Sequence, residues 1–193
     1  MKIGILALQG SFIEHQAILT SLGVAVIQVR KPSELEGLNG LILPGGESTV
    51  FAHLAGSTGL MDALSAFGRE HAMWGTCAGA IFMAKDIQRD QPTLGLMDIT
   101  IKRNAFGRQT NSFEADIPIP ALNGHQADSP PFHAVFIRAP LIESVSNNAR
   151  VLAALPDGEI VAARQGHLLV TVFHPELTDD SRFHQYFLDL AST

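Results

Sequence analysis

Cysteine occurs once in this chain, tryptophan and tyrosine once each, and lysine only four times. One cysteine cannot close an intrachain disulfide, and that usage suits a reducing, cytoplasmic setting. No apolar run approaches the roughly 18 residues that a membrane-spanning helix needs. Nor does the segment 1–6 have the layout of a secretory signal, since it runs straight into a strand-like stretch. Long basic tracts are missing, and the net charge is −6. Both features argue against nucleic acid as the main partner. The four lysines (Lys2, Lys31, Lys85, Lys102) have no Schiff-base context. The eight histidines form no zinc-type cluster with cysteine or paired carboxylates. No cofactor and no metal are expected. There is no internal repeat and no linker, so residues 1–193 are expected to form a single domain.

The lone cysteine sits in Gly75-Thr76-Cys77-Ala78-Gly79. A hydrophobic stretch ending in Met73-Trp74 leads in, and the helix-like Ala80-Ile81-Phe82-Met83-Ala84 leads out. This G-x-C-x-G frame predicts a nucleophile elbow, a tight strand-to-helix turn that lifts one side chain above a sheet. A thiol there lies at a helix N-terminus, where free N–H groups favour thiolate. The competing reading is a buried structural cysteine, the commoner fate of a lone Cys. The flanking glycines and the strand–helix context favour the elbow.

The first half alternates strand-like and helical segments. Residues 3–8 form a nearly continuous apolar run, as in a strand covered on both faces. Ser11 and Glu14 match a capping box, and the helix that follows places Phe12, Ile18, Leu19 and Leu22 on one face. Strands are predicted at 24–29, 40–43 and 72–76, and a helix near 58–70. Pro44-Gly45-Gly46-Glu47-Ser48 reads as a turn. The rhythm predicts an open α/β sheet with its site beyond the strands' C-terminal ends. Further strands are expected at 99–102, 113–119, 135–137, 151–155, 160–164 and 168–173, with a hairpin turn at Gln165-Gly166. Residues 120–132 read as an exposed loop. Phe183, Phe187 and Leu190 give the last helix its apolar stripe.

His174-Pro175-Glu176 follows the last strand candidate. In extended backbone His174 and Glu176 point to the same side. An imidazole that takes the thiol proton, oriented by a carboxylate, is what thiol catalysis needs. The Gly45-Gly46 turn offers an oxyanion donor from the Gly46 N–H, through an unusual dihedral that glycine permits, and the Ala78 N–H offers the second. Ser48 is a rival nucleophile, but its surroundings lack the second elbow glycine.

Gly75-Thr76-Cys77-Ala78-Gly79 together with Phe173-His174-Pro175-Glu176 resembles the signature of class I glutamine amidotransferases. More narrowly, the chain resembles the glutaminase subunits of pyridoxal 5′-phosphate synthase. The narrower likeness rests on Leu8-Gln9-Gly10, Leu43-Pro44-Gly45-Gly46-Glu47-Ser48-Thr49 and Arg103-Asn104-Ala105-Phe106-Gly107-Arg108-Gln109. Ser112-Phe113-Glu114-Ala115, Phe136-Ile137-Arg138-Ala139-Pro140 and His174-Pro175-Glu176-Leu177-Thr178 extend it over nearly the whole chain. The resemblance implies a three-layer, mostly parallel open sheet with helices on both faces, of flavodoxin-like type. It implies a Cys77, His174, Glu176 triad and L-glutamine contacts from Gly46, Glu47, Ser48, Arg103, Ile137 and Arg138, with Arg108 ranked behind. It also implies that ammonia passes to a (β/α)8-barrel synthase subunit in a hetero-oligomeric complex. By the same likeness the glutaminase is weak until docked, and the Gly45-Gly46 region reorients. The segment 123–131 departs from the pattern by its length, which bears on the subunit contact. Three other readings share parts of the pattern. They are a glutaminase serving another synthase, such as that of imidazole glycerol phosphate, a cysteine peptidase or deglycase, and a non-enzymatic binding module.

Overall fold

The structure is a computed structural model that describes residues 1–103, 112–122, 124 and 129–193. Its elements run β1 (Lys2–Leu6), α1 (Phe12–Ser21), β2 (Ala25–Val29), β3 (Gly40–Leu43), α2 (Ser48–Ser57), α3 (Leu60–Glu70), β4 (Ala72–Thr76) and α4 (Ala78–Met83). There follow β5 (Ala84–Asp86), β6 (Met97–Lys102), β7 (Ser112–Ile117), β8 (Phe132–Ile137), β9 (Leu141–Val145), β10 (Arg150–Ala154), β11 (Ile160–Gln165), β12 (Leu168–Thr171) and α5 (Arg182–Ala191).

The main sheet has the order β2-β1-β3-β4-β12-β11-β9-β6-β5, with β10 paired to β11. Its first five strands are parallel. Every residue of β3, β4 and β12 is buried, which is why these segments are apolar throughout rather than alternating. Successive residues of β4 show that helices cover both faces. Trp74 packs against His15 of α1 and against Phe183, His184 and Phe187 of α5. On the opposite face, Met73 lies against Gly68 of α3. The expected three-layer α/β architecture is therefore present. From β12 to β6 the sheet is antiparallel, beginning with the β11–β12 hairpin, whose Gly166 has the positive φ of 57° that such a turn requires, and the last pair, β6–β5, is parallel. β7 and β8 form a separate two-stranded sheet. Phe113 and Phe136 stack on it, and Phe132 and Phe136 join it to Phe173 and Phe183.

Several local expectations need correction. Ser11 does precede α1, but it makes no capping hydrogen bond there. Its hydroxyl is drawn instead to Glu176, a buried carboxylate and a stronger acceptor. The buried side chains of α1 are His15 and Leu19, whereas Phe12, Ile18 and Leu22 are only partly buried. Helix α2 begins at Ser48, where a turn was expected to end, and β5 and β9 were not expected. The Pro-rich stretch after β7 is partly a 3-10 turn, Pro120–Leu122. Arg108 and most of the 123–131 segment lie outside the described residues. Among the described residues no helix is long and apolar enough to cross a membrane.

Candidate active site

The parallel strands end at one rim, at Leu43, Thr76 and Thr171, and the predicted site residues gather there. Cys77 is the hinge between β4 and α4, with φ 48° and ψ −104°. Its N–H donates to the Thr171 carbonyl at 2.8 Å, and its carbonyl accepts from Ala80 N–H and Ile81 N–H. The strained dihedral is thus fixed from the neighbouring strand and from the helix. Cys77 is 8% exposed and lines a cavity at this rim.

His174 and Glu176 meet by a different route from the one expected. β12 ends at Thr171, and Pro175–Leu177 is a 3-10 turn rather than extended backbone. The turn brings His174 Nδ1 to 2.7 Å from Glu176 Oε1. The His174 N–H donates to the Val135 carbonyl of β8 at 2.8 Å, which holds the segment against the small sheet. The ring of His174 and Cys77 line the same cavity. Burial opposes protonation of His174, but its neighbours Cys77 and Glu176 outweigh it and push its pKa up to about 10. Burial likewise raises Glu176, yet His15, His174 and the Ser11 hydroxyl overcome this and hold its carboxyl at about 2. Geometry and charge agree on an ionised carboxylate beside a cationic imidazole.

All of the expected site residues except Glu176 line a single cavity of about 340 Å³. Glu176 sits behind His174, as an orienting group should. The volume suits a small amino-acid-sized molecule. Gly46, Glu47 and Ser48 form one wall, Ile137 and Arg138 another, and Ala78 flanks Cys77. Arg103 donates to Glu47 Oε1 at 2.8 Å and to Gln91 Oε1 at 3.3 Å. Burial raises the Glu47 carboxyl, but Thr49 and Arg103 together pull it below its ordinary range. Ser48 lies nearest to Gln91, to whose Oε1 its hydroxyl donates at 3.4 Å. Among the described residues no imidazole is bonded to it, so it has no base there. Arg138 has a φ of 45° and no hydrogen-bond partner among the described residues.

The reason for glycine in the 45–46 turn also differs from expectation. Neither residue takes a left-handed φ. A Cβ on Gly45 would lie 2.5 Å from His174 Cε1, and one on Gly46 would meet the Gln9 side chain at 2.8 Å. Close approach, not conformational freedom, is what excludes a side chain there. Gln9 itself accepts from the Glu47 N–H at 2.9 Å and lines the cavity.

Sequence reasoning placed none of Gln9, Ser11, His15 or His184 in the site. Ser11 Oγ donates to Glu176 Oε1 at 2.5 Å, and His15 Nε2 lies 3.4 Å from Glu176 Oε2. The signal available was a histidine four residues after Ser11 and four before Leu19, a spacing that puts it on the helix face that Leu19 buries. Among the described residues no group of His, Cys, Asp or Glu is arranged to hold a metal ion.

The model of the SNO glutamine amidotransferase family matches residues 5–192. The pyridoxal 5'-phosphate synthase subunit PdxT of Herpetosiphon aurantiacus is 53% identical over 195 residues, covering 98% of this chain and 100% of the relative. The protein of the same name from Brevibacillus brevis is 50% identical over 193 residues, covering 99% of this chain and 97% of its own length. A crystal structure of a glutamine amidotransferase superposes with a TM-score of 0.91 at 46% identity, covering 99% of each chain. A glutamine amidotransferase from Thermotoga maritima, only 12% identical, shares the fold with a TM-score of 0.63 over 100% of this chain and 82% of its own.

Proposed function

This chain belongs to the SNO glutamine amidotransferase family, and from that premise we propose that it is the glutaminase subunit of a pyridoxal 5′-phosphate synthase. It hydrolyses L-glutamine to L-glutamate and ammonia and delivers the ammonia to a synthase subunit, a (β/α)8 barrel, in a hetero-oligomeric cytoplasmic complex. Relatives at 50–53% identity, matched over 97–100% of their own length, are named pyridoxal 5'-phosphate synthase subunits. The observation that carries the chemistry is His174, held by Glu176 at 2.7 Å and sharing with Cys77 the lining of an amino-acid-sized cavity.

The mechanism follows from those contacts. His174 holds the proton that Cys77 gives up, and Glu176 stabilises that imidazolium. The thiolate attacks the side-chain amide carbon of glutamine. The N–H groups of Gly46 and Ala78 stabilise the tetrahedral oxyanion. His174 returns the proton to the amide nitrogen, the C–N bond breaks, and ammonia leaves a γ-glutamyl thioester. A water, deprotonated by His174, then attacks the thioester carbon and releases glutamate and the thiol. The substrate's α-carboxylate and α-amino group are held by Glu47, Ser48, Arg103, Ile137 and Arg138, with a guanidinium for the carboxylate. Free ammonia is mostly protonated at neutral pH and then no nucleophile, so it must reach the synthase active site before it equilibrates with water.

The test is glutamate release from glutamine with and without the synthase subunit. Addition of the subunit is expected to raise the rate, and Cys77→Ser is expected to abolish it in both cases. A Cys77→Ser protein with near-normal activity would overturn the assignment.

A further inference from the structure

The catalytic carboxylate has a second, hidden neighbourhood. Oε1 of Glu176 accepts from His174 Nδ1 at 2.7 Å and from Ser11 Oγ at 2.5 Å. Oε2 is buried and has no well-directed donor among the described residues. The nearest is His15 Nε2 at 3.4 Å, shared with Thr76 Oγ1 at 3.3 Å. The other nitrogen of His15, Nδ1, lies 2.9 Å from His184 Nε2 on α5. Neither His15 nor His184 has any exposure, and Trp74 sets its ring against both.

Counting protons decides which way this chain runs. Only one proton fits between His15 Nδ1 and His184 Nε2. If His15 carries it, a neutral His15 turns a lone pair toward a carboxylate oxygen. His184 must then keep its own proton on Nδ1, a buried atom with no partner. An orphaned buried N–H is among the rarer and costlier arrangements in proteins. If His184 carries it, His15 holds its proton on Nε2, aimed at Thr76 and Glu176. The one unsatisfied ring atom is then a bare acceptor on His184, which costs less. Burial favours the neutral form of both rings, lowering His15 and taking His184 to about 3.

We propose that His15 is a positioning residue for the glutaminase reaction: its Nε2–H serves the oxygen of Glu176 that nothing else reaches, and His184 fixes the tautomer that makes this possible. Donors from three elements then converge on one carboxylate: Ser11 and His15 from α1, His184 acting through His15 from α5, and His174 from the turn after β12. Glu14, on the outer side of α1, adds a weak opposing charge at His15. The role is to keep Glu176 ionised and in the plane that orients His174. His15 does not line the substrate cavity, so its loss should fall on kcat rather than on glutamine binding.

The inference rests on Glu176 being the orienting member of the triad, and the test separates the two ideas. Wild type, His15→Leu and His15→Gln are compared in the complete complex with the synthase subunit. His15→Leu is expected to lower kcat by about ten- to a hundredfold, the scale of a small misplacement at a reacting centre, with KM for glutamine changed less than about twofold. It should also move the acid limb of kcat/KM to higher pH, because Glu176 loses a donor that favours its charged form. His15→Gln keeps an N–H near the Nε2 position and should recover most of both changes. An unmoved acid limb, or a His15→Gln protein as impaired as His15→Leu at equal melting temperature, would overturn the proposal. In either case Cys77→Ser still reports on the triad itself. Should His15→Leu fail to fold, nitrogen-15 NMR of the wild-type histidines decides. A neutral Nε2–H tautomer at His15 is expected, and an Nδ1–H tautomer or a charged ring at neutral pH would overturn the proposal.

Discussion

Arg138 combines a left-handed backbone, with φ 45°, and a charged side chain at the cavity wall that pairs with nothing among the described residues. A non-glycine residue in that region costs about 1–2 kcal/mol, and such strain persists where function requires it. Arg138→Gly should therefore stabilise the fold by about 1 kcal/mol in a denaturant titration. It should at the same time raise KM for glutamine about tenfold or more, since a charge-assisted bond to the α-carboxylate is lost. An unchanged KM would remove Arg138 from the binding site. The identity of this residue was legible in the Phe-Ile-Arg-Ala-Pro segment, but its strain was not, because φ is set by the packing of β8 against the rim. Ser11 was misread for a related reason. Its S-x-x-E spacing is a sound local signal, yet the acceptor that wins lies 165 residues away. No local pattern encodes a contact of that separation.

At the scale of elements, the elbow works as a wedge of backbone on backbone. A Cβ on Gly79 would stand 2.0 Å from the Leu43 carbonyl oxygen, and one on Gly75 would stand 2.5 Å from the Gly79 carbonyl. α4 therefore rests directly on the ends of β3 and β4, and it is this contact that sets the height of Cys77 above the sheet. Gly79→Ala forces apart atoms that cannot rotate away. It should cost about 2–3 kcal/mol or more, at the upper end for overpacking. It should also slow alkylation of Cys77 by a glutamine-like electrophile. Wild-type stability and labelling in Gly79→Ala would mean that the elbow is looser than its contacts imply. This element was legible because two glycines at fixed offsets from a cysteine have few structural explanations. The central strands β3 and β4 were legible because burial on both faces makes them continuously apolar. α2 was hidden by its own composition, with Ser48, Thr49, Val50 and Gly56 all weak helix formers. It is held instead by Phe51, Ala52 and Ala55 on its buried face. β9 lies between β11 and β6 but escaped because its burial, half-buried, buried, exposed, exposed, half-buried, shows no clean alternation.

For the whole molecule, the buried ionisable groups couple stability to pH in opposite senses on the two sides of neutrality. His184 has its pKa lowered from 6.5 to about 3, so the unfolded chain binds a proton that the folded one refuses. Its contribution is full above about pH 6.5 and is lost as the pH falls toward 3. His15 is shifted in the same direction. Glu176, lowered from 4.5 to about 2, adds a further loss below about pH 4.5. His174 has the reverse sign. Its pKa is raised from 6.5 to about 10, so its contribution is complete below about pH 6.5 and disappears as the pH rises toward 10. The melting temperature should therefore peak near pH 6.5 and decline on both flanks. The flanks are separable by mutation. His184→Phe removes one of the acid-side groups and should flatten the acid flank while leaving the alkaline one intact. Cys77→Ser removes a neighbour that helps to raise His174, so it should flatten the alkaline flank alone. Circular dichroism melts from pH 4 to 10 on the three proteins provide the check. A wild-type melting temperature that kept climbing from pH 6.5 to 9 would show that the imidazolium between Cys77 and Glu176 does not contribute to the fold, and the charge arrangement assigned to the site would have to be reversed.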